Sequence, residues 1–155
     1  MNEITTIGYE GTTVERLVGT LKAAGVELVV DVRAVANSRR PGFAKTKLSE
    51  NLAASGIGYL HLRGLGTPAA GRAAARADNH HELDRVYREH LTSGAAQTDL
   101  AVLADIVRAG CRVSLLCLEA DPARCHRSMV ADALAVWLPL RVEHLYPNRD
   151  TDPDG

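Results

Sequence analysis

Aromatic residues are scarce in this sequence: one Trp, one Phe and four Tyr make up 4% of its 155 residues. That leaves no series of rings for successive bases to stack on, which disfavours a single-strand nucleic-acid binder. Lysine is rarer still, three residues against fifteen arginines, and the net charge is only −1. No global field therefore draws in nucleic acid or an anionic membrane. The arginine excess is read either as genome composition or as a demand for bidentate binding of local anions. No uncharged apolar run reaches the length of a membrane-spanning helix. The start Met1-Asn2-Glu3-Ile4 lacks the basic opening and apolar stretch of a secretory signal. Cysteine is limited to three residues, an odd number and no disulfide framework. The expectation is a soluble cytoplasmic protein with reduced thiols and no membrane association.

What is present is ordinary globular composition, 46% hydrophobic and 24% charged. The length suits one domain, expected over residues 1–147, with an acidic, flexible tail at 148–155. Residues 4–7 form a β-branched run ending at Gly8 and predict a strand. Thr12 or Thr13 caps a helix with Val14, Leu17, Val18 and Leu21 on one face, stopped by Gly25. Residues 28–32 are nearly all apolar, the pattern of a strand buried on both faces. A helix over 45–55 and a strand over 57–62 follow. Residues 63–78 are rich in Gly, Ala and Arg, and predict a long mobile loop.

Asn79 with Glu82 forms a capping box for a helix to about residue 92. Another helix is expected from Thr98 to Gly110, then a strand over 112–117. Asp121 and Pro122 suit an N-cap and first helical position for a helix to about Trp137. A last strand is expected over 142–146. Strands alternating with helices predict a single three-layer α/β domain with a mostly parallel, Rossmann-like sheet of about five strands. Ligands of such sheets bind outside the carboxyl ends of the strands. The chemically unusual residues fall on that edge, in the segments that follow Ile7, Val32, Leu62 and Leu116.

The segment from Cys117 to Arg127 holds Glu119, Arg124, Cys125 and His126 as well. A helix amino end and two arginines favour a thiolate, the nucleophilic form of cysteine. Cys117 or Cys125 is therefore the expected reactive thiol, with Glu119 or His126 as proton carrier; packing of Cys117 as a small buried hydrophobe is the competing reading. The arrangement is similar to phosphatases and sulfurtransferases with a Cys-x5-Arg cradle. Here, however, Arg124 stands seven positions after Cys117, and Pro122 removes a backbone donor. A metal held by Cys117, Cys125 and His126 with Glu119 or His61 is disfavoured, because the two cysteines lack the close spacing of structural zinc ligands. No cofactor or metal is expected.

Asp31 and Arg33 flank Val32 and so lie on one side of an extended chain. With Ser38, Arg39, Arg40 and Lys45 they form a second candidate anion site, against the plainer reading of a strand-end ion pair beside a solvated basic loop. Across the whole edge, Tyr9, Glu10, Asp31, Arg33, Ser38, Arg39 and Arg127 are the expected substrate-binding residues. His80 and His81 are expected to be exposed helix residues.

Gly8-Tyr9-Glu10-Gly11, Asp31-Val32-Arg33 with Ser38-Arg39, Gly56-Ile57 to Tyr59 with Leu65-Gly66, and Cys117-x-Glu119 with Cys125-His126-Arg127 together resemble a bacterial and archaeal family, domain of unknown function 488. The resemblance spans roughly residues 4–146, with Ala36 where the family often carries proline. It implies a single α/β domain and brings no reaction, substrate or cofactor. The residues themselves favour a small thiol-dependent transferase or hydrolase acting on a phosphorylated or otherwise anionic ligand. Alternatives are a non-catalytic nucleotide- or nucleic-acid-binding domain and a structural metal site. Nothing in the sequence fixes the oligomeric state.

Overall fold

The computed structural model describes residues 2–119, 121 and 126–147. Five strands, β1 (Asn2–Gly8), β2 (Leu28–Asp31), β3 (Gly58–His61), β4 (Val113–Cys117) and β5 (Leu140–Leu145), form one sheet in the order β3-β2-β4-β1-β5. Every pairing is parallel. Helices α1 (Val14–Ala23) and α2 (Lys45–Ala53) supply Leu17, Leu21, Leu48 and Leu52 to one face of the sheet, against Ile7, Val29 and Leu116. Helices α4 (His80–Leu91), α5 (Gly94–Arg108) and α6 (Arg127–Trp137) cover the other face, where Tyr87, Leu103 and Val130 meet Val30, Leu115 and Cys117. Successive strand residues thus serve opposite layers, as Val29 and Val30 do. That is why β2 and β4 carry unbroken apolar runs.

Local chemistry accounts for the helix starts. The Thr13 hydroxyl accepts from the Arg16 N–H at 3.2 Å, and the Asn79 side chain accepts from Glu82 N–H at the same distance. The fifth helix starts earlier than Thr98: Ser93 caps it, its hydroxyl accepting from Ala96 N–H. The last helix begins at Arg127 with His126 at its cap position, and Asp121 lies in a bend rather than at an N-cap. Pro122, Arg124 and Cys125 lie outside the described residues.

Residues 63–78 are not the expected loop. They form a short 3-10 turn over Arg63–Leu65 and helix α3 (Ala69–Arg76). Alanine has the strongest intrinsic helix preference, and Pro68 is tolerated because it precedes the first turn. Gly71, which suggested a loop, is buried inside α3, where a Cβ would run into the Thr67 methyl.

The registers bring the strand ends to one edge: Gly8 sits beside Cys117, and Asp31 lies between Leu116 and His61. Gly8 is needed there for close approach, since a Cβ would strike the Glu119 carbonyl. We expect Gly8→Ala to cost about 1–3 kcal/mol in urea unfolding, the usual penalty for forcing atoms into filled space. A change below about 0.5 kcal/mol would show that the Cys117–Glu119 segment shifts freely.

Candidate functional site

At the carboxyl edge of the sheet the structure holds a cavity of about 500 Å³. The end of β4 and the segments after β1, β2 and β4 form part of its wall, through Tyr9 and Glu10, Arg33, Ala34, Val35 and Asn37, and Cys117, Leu118 and Glu119. Helices α3 and α4 complete it with Arg72, Ala75, Arg76, His80 and Leu83. This is the edge on which a parallel α/β sheet binds ligands. Of the residues expected from sequence, Tyr9, Glu10, Arg33, Cys117, Glu119 and His126 line the cavity. Asp31, Ser38, Arg39 and Arg127 do not appear on its wall. Cys125 lies outside the described residues.

Arg33 is held mainly by the protein itself. Its guanidinium donates to Asp31 at 2.7 and 2.9 Å, to the Phe43 carbonyl at 2.8 Å and to the Tyr9 hydroxyl at 3.4 Å. It also lies over the Tyr9 ring, which stacks on Phe43. Burial opposes the charge, but the hydrogen bond and attraction of Asp31 outweigh it and raise the arginine pKa. Asp31 additionally accepts from Arg33 N–H and from the Tyr59 hydroxyl. Burial, then that hydrogen bond, raise the Tyr59 pKa. The Asp31–Arg33 pair therefore forms the packed floor beneath the loop.

Arg127 is fully buried. It donates to the Thr6 hydroxyl at 3.1 Å, to the Glu119 carbonyl, and to Cys117 Sγ at 3.4 Å. Burial lowers its pKa, although arginine stays charged at neutral pH. Glu119 Oε2 lies 3.7 Å from Cys117 Sγ. One sulfur thus meets a cation and a carboxylate on the cavity wall. The thiols are not all reduced as expected: Cys117 is disulfide-bonded, whereas Cys111 is free. An odd cysteine count rules out complete pairing, not a single bridge.

His126 is buried against Tyr87, with Nε2 2.6 Å from the Val32 carbonyl. Burial pushes its pKa down to about 4, so the ring is neutral at pH 7. Its neighbour in role, His61, sets Nε2 2.6 Å from the Arg33 carbonyl. These two rings fix the chain as it leaves β2. In the following loop, Ser38 accepts from Arg40 N–H, and Arg39 is exposed.

Sequence reasoning missed Arg72 and Arg76. They lie four residues apart on α3 and therefore on one helical face. Arg72 Nη1 donates to the Thr67 carbonyl at 2.9 Å, and Arg76 is exposed. His80, expected to be a plain surface residue, lines the same cavity and pairs with Asp78 at 2.9 Å. The signal that could have found them was the alanine content of 69–75, which places both arginines on a helix rather than in a loop.

Among the described residues no helix is long and apolar enough to cross a membrane. No curated protein and no solved structure matches the chain. A model of the family described as domain of unknown function DUF488 matches residues 13–134. That span includes β2, β4 and both arginines of α3, and the chain belongs to this family.

Proposed function

We propose that the protein is a small thiol-dependent enzyme acting on an anionic substrate bound in the carboxyl-edge cavity. The observation that carries this reading is the setting of Cys117 Sγ, between Arg127 Nη1 at 3.4 Å and Glu119 Oε2 at 3.7 Å, on a wall shared with Arg72 and Arg76. Arg127 stabilises the thiolate, Glu119 accepts the thiol proton, and the α3 arginines hold the anion. The bridge at Cys117 confines this chemistry to the reduced protein. A second reading, a non-catalytic domain that binds an anion through Arg72 and Arg76, is favoured by the bridge at Cys117, which leaves no thiol proton to transfer.

Alkylation of the reduced protein against pH tests the proposal. Burial and the Glu119 carboxylate oppose the Cys117 thiolate, and the Arg127 guanidinium favours it. For Cys117 to act as the nucleophile the guanidinium must prevail, so the midpoint is expected below the free-cysteine value of about 8.5. Cys111 should titrate high, because burial and then the Glu27 charge raise it. Arg127→Met should raise the Cys117 midpoint by about one unit, and Glu119→Gln should lower it. Glu119 is only half-buried, so the second variant keeps the test informative if the first fails to fold. Inorganic phosphate should slow alkylation of Cys117 but not of Cys111, and Arg76→Gln should weaken that protection. Equal midpoints for the two thiols would remove the nucleophile. Phosphate protection without a lowered midpoint would favour the binding domain.

A further inference from the structure

Val35 and Leu118 stand in water at 58% and 43% exposure. Single exposed aliphatic side chains are ordinary on a protein surface. These two come from different loops, after β2 and after β4, and both line the one cavity that Arg72 and Arg76 also line. Ala75 and Leu83 add further apolar wall. A volume of about 500 Å³ is that of a small-molecule site rather than an ion site. A bare phosphate or carboxylate would leave most of the cavity as apolar surface facing water, which is unfavourable in proportion to its area.

We propose that the ligand is an amphipathic anion, a phosphate or carboxylate headgroup carried on a compact aliphatic body. The headgroup is held by Arg72 and Arg76, and the body covers Val35, Leu118, Ala75 and Leu83. The inference rests on the anionic-ligand reading above and names the class of ligand. Asn37, Thr67 and His80 also line the cavity and could meet hydroxyls, so a sugar phosphate is the competing ligand that the experiment must separate.

Calorimetric titration of the 155-residue chain with methyl phosphate, hexyl phosphate and ribose 5-phosphate tests it. Hexyl phosphate should bind about tenfold or more tightly than methyl phosphate, as expected for burying several methylene groups. A Val35→Ser, Leu118→Ser double variant should lose that advantage and keep the methyl phosphate affinity. Both side chains are exposed, so the fold tolerates the change. Arg76→Gln should weaken methyl and hexyl phosphate alike. Equal binding of those two, or tighter binding of ribose 5-phosphate than of hexyl phosphate, overturns the amphipathic class and leaves the anion reading standing. If none of the three binds, the anion reading falls and takes this inference with it.

Discussion

Replacing Asp31 by alanine is expected to destabilise the protein by about 3–5 kcal/mol, the cost of leaving a buried charge without its partner. Asp31 is fully buried, and Arg33 is 6% exposed. The substitution leaves the guanidinium, among the described residues, with the Phe43 carbonyl and the hydroxyl and ring of Tyr9, and it removes the acceptor of the Tyr59 hydroxyl. For a chain of this length the loss corresponds to a melting temperature lower by about 10 °C. Replacing both members, Asp31→Leu with Arg33→Met, should recover part of the deficit, because the unpaired charge is then gone. Recovery stays incomplete, since the bonds to Phe43 and Arg33 N–H are lost as well. Thermal unfolding of the two variants decides the matter. A single-variant cost below about 1 kcal/mol would mean that Arg33, already on the cavity wall, turns outward to water when Asp31 is gone. It would then be a ligand-binding arginine in waiting rather than the floor of the loop.

The same pair marks where sequence reading succeeds and where it stops. Asp31 and Arg33 could be placed on one side of a strand end because the side-chain period of a strand is two. Their being a sealed pair depends on Phe43 and Tyr59, which only the folded chain brings to them. Strands were legible where both faces are buried, as in β2 and β4, since burial by two helix layers leaves an unbroken apolar run. The position of the cavity was legible too, because the topology of an α/β sheet marks its carboxyl edge before any residue is identified. Arg127 was singled out from sequence, but its burial against Thr6 was not legible, since the two lie 121 positions apart and no local pattern signals the contact. Helix α3 was hidden for a different reason. Gly71 and Pro68 read as loop residues, yet one packs against Thr67 and the other sits just outside the first turn. Missing α3 meant missing Arg72 and Arg76, the arginines that line the cavity without serving as its floor.

Lowering the pH should destabilise the protein through His126. Its pKa is pushed down to about 4 from the ordinary 6.5, chiefly by burial, and the Arg127 charge acts in the same direction. The Val32 carbonyl and the Asp31 charge oppose the shift without cancelling it. Between those two values the unfolded chain binds a proton that the folded chain refuses. Stability is therefore complete above pH 6.5 and falls as the pH drops toward 4. The expected loss from this one group is about 2 kcal/mol by pH 5, rising to about 3 kcal/mol below pH 4. His144, whose pKa burial also lowers, adds to the same slope. Urea unfolding at pH 7.5 and pH 5, on the parent and on His126→Gln, isolates the His126 share. The glutamine amide can still donate to the Val32 carbonyl, but it does not titrate. Its variant should be less stable at pH 7.5 through imperfect packing against Tyr87, yet lose about 2 kcal/mol less than the parent between the two pH values. Equal losses in both proteins would mean that the folded state admits the proton. The ring would then be a candidate acid on the cavity wall, alongside Glu119 as proposed above.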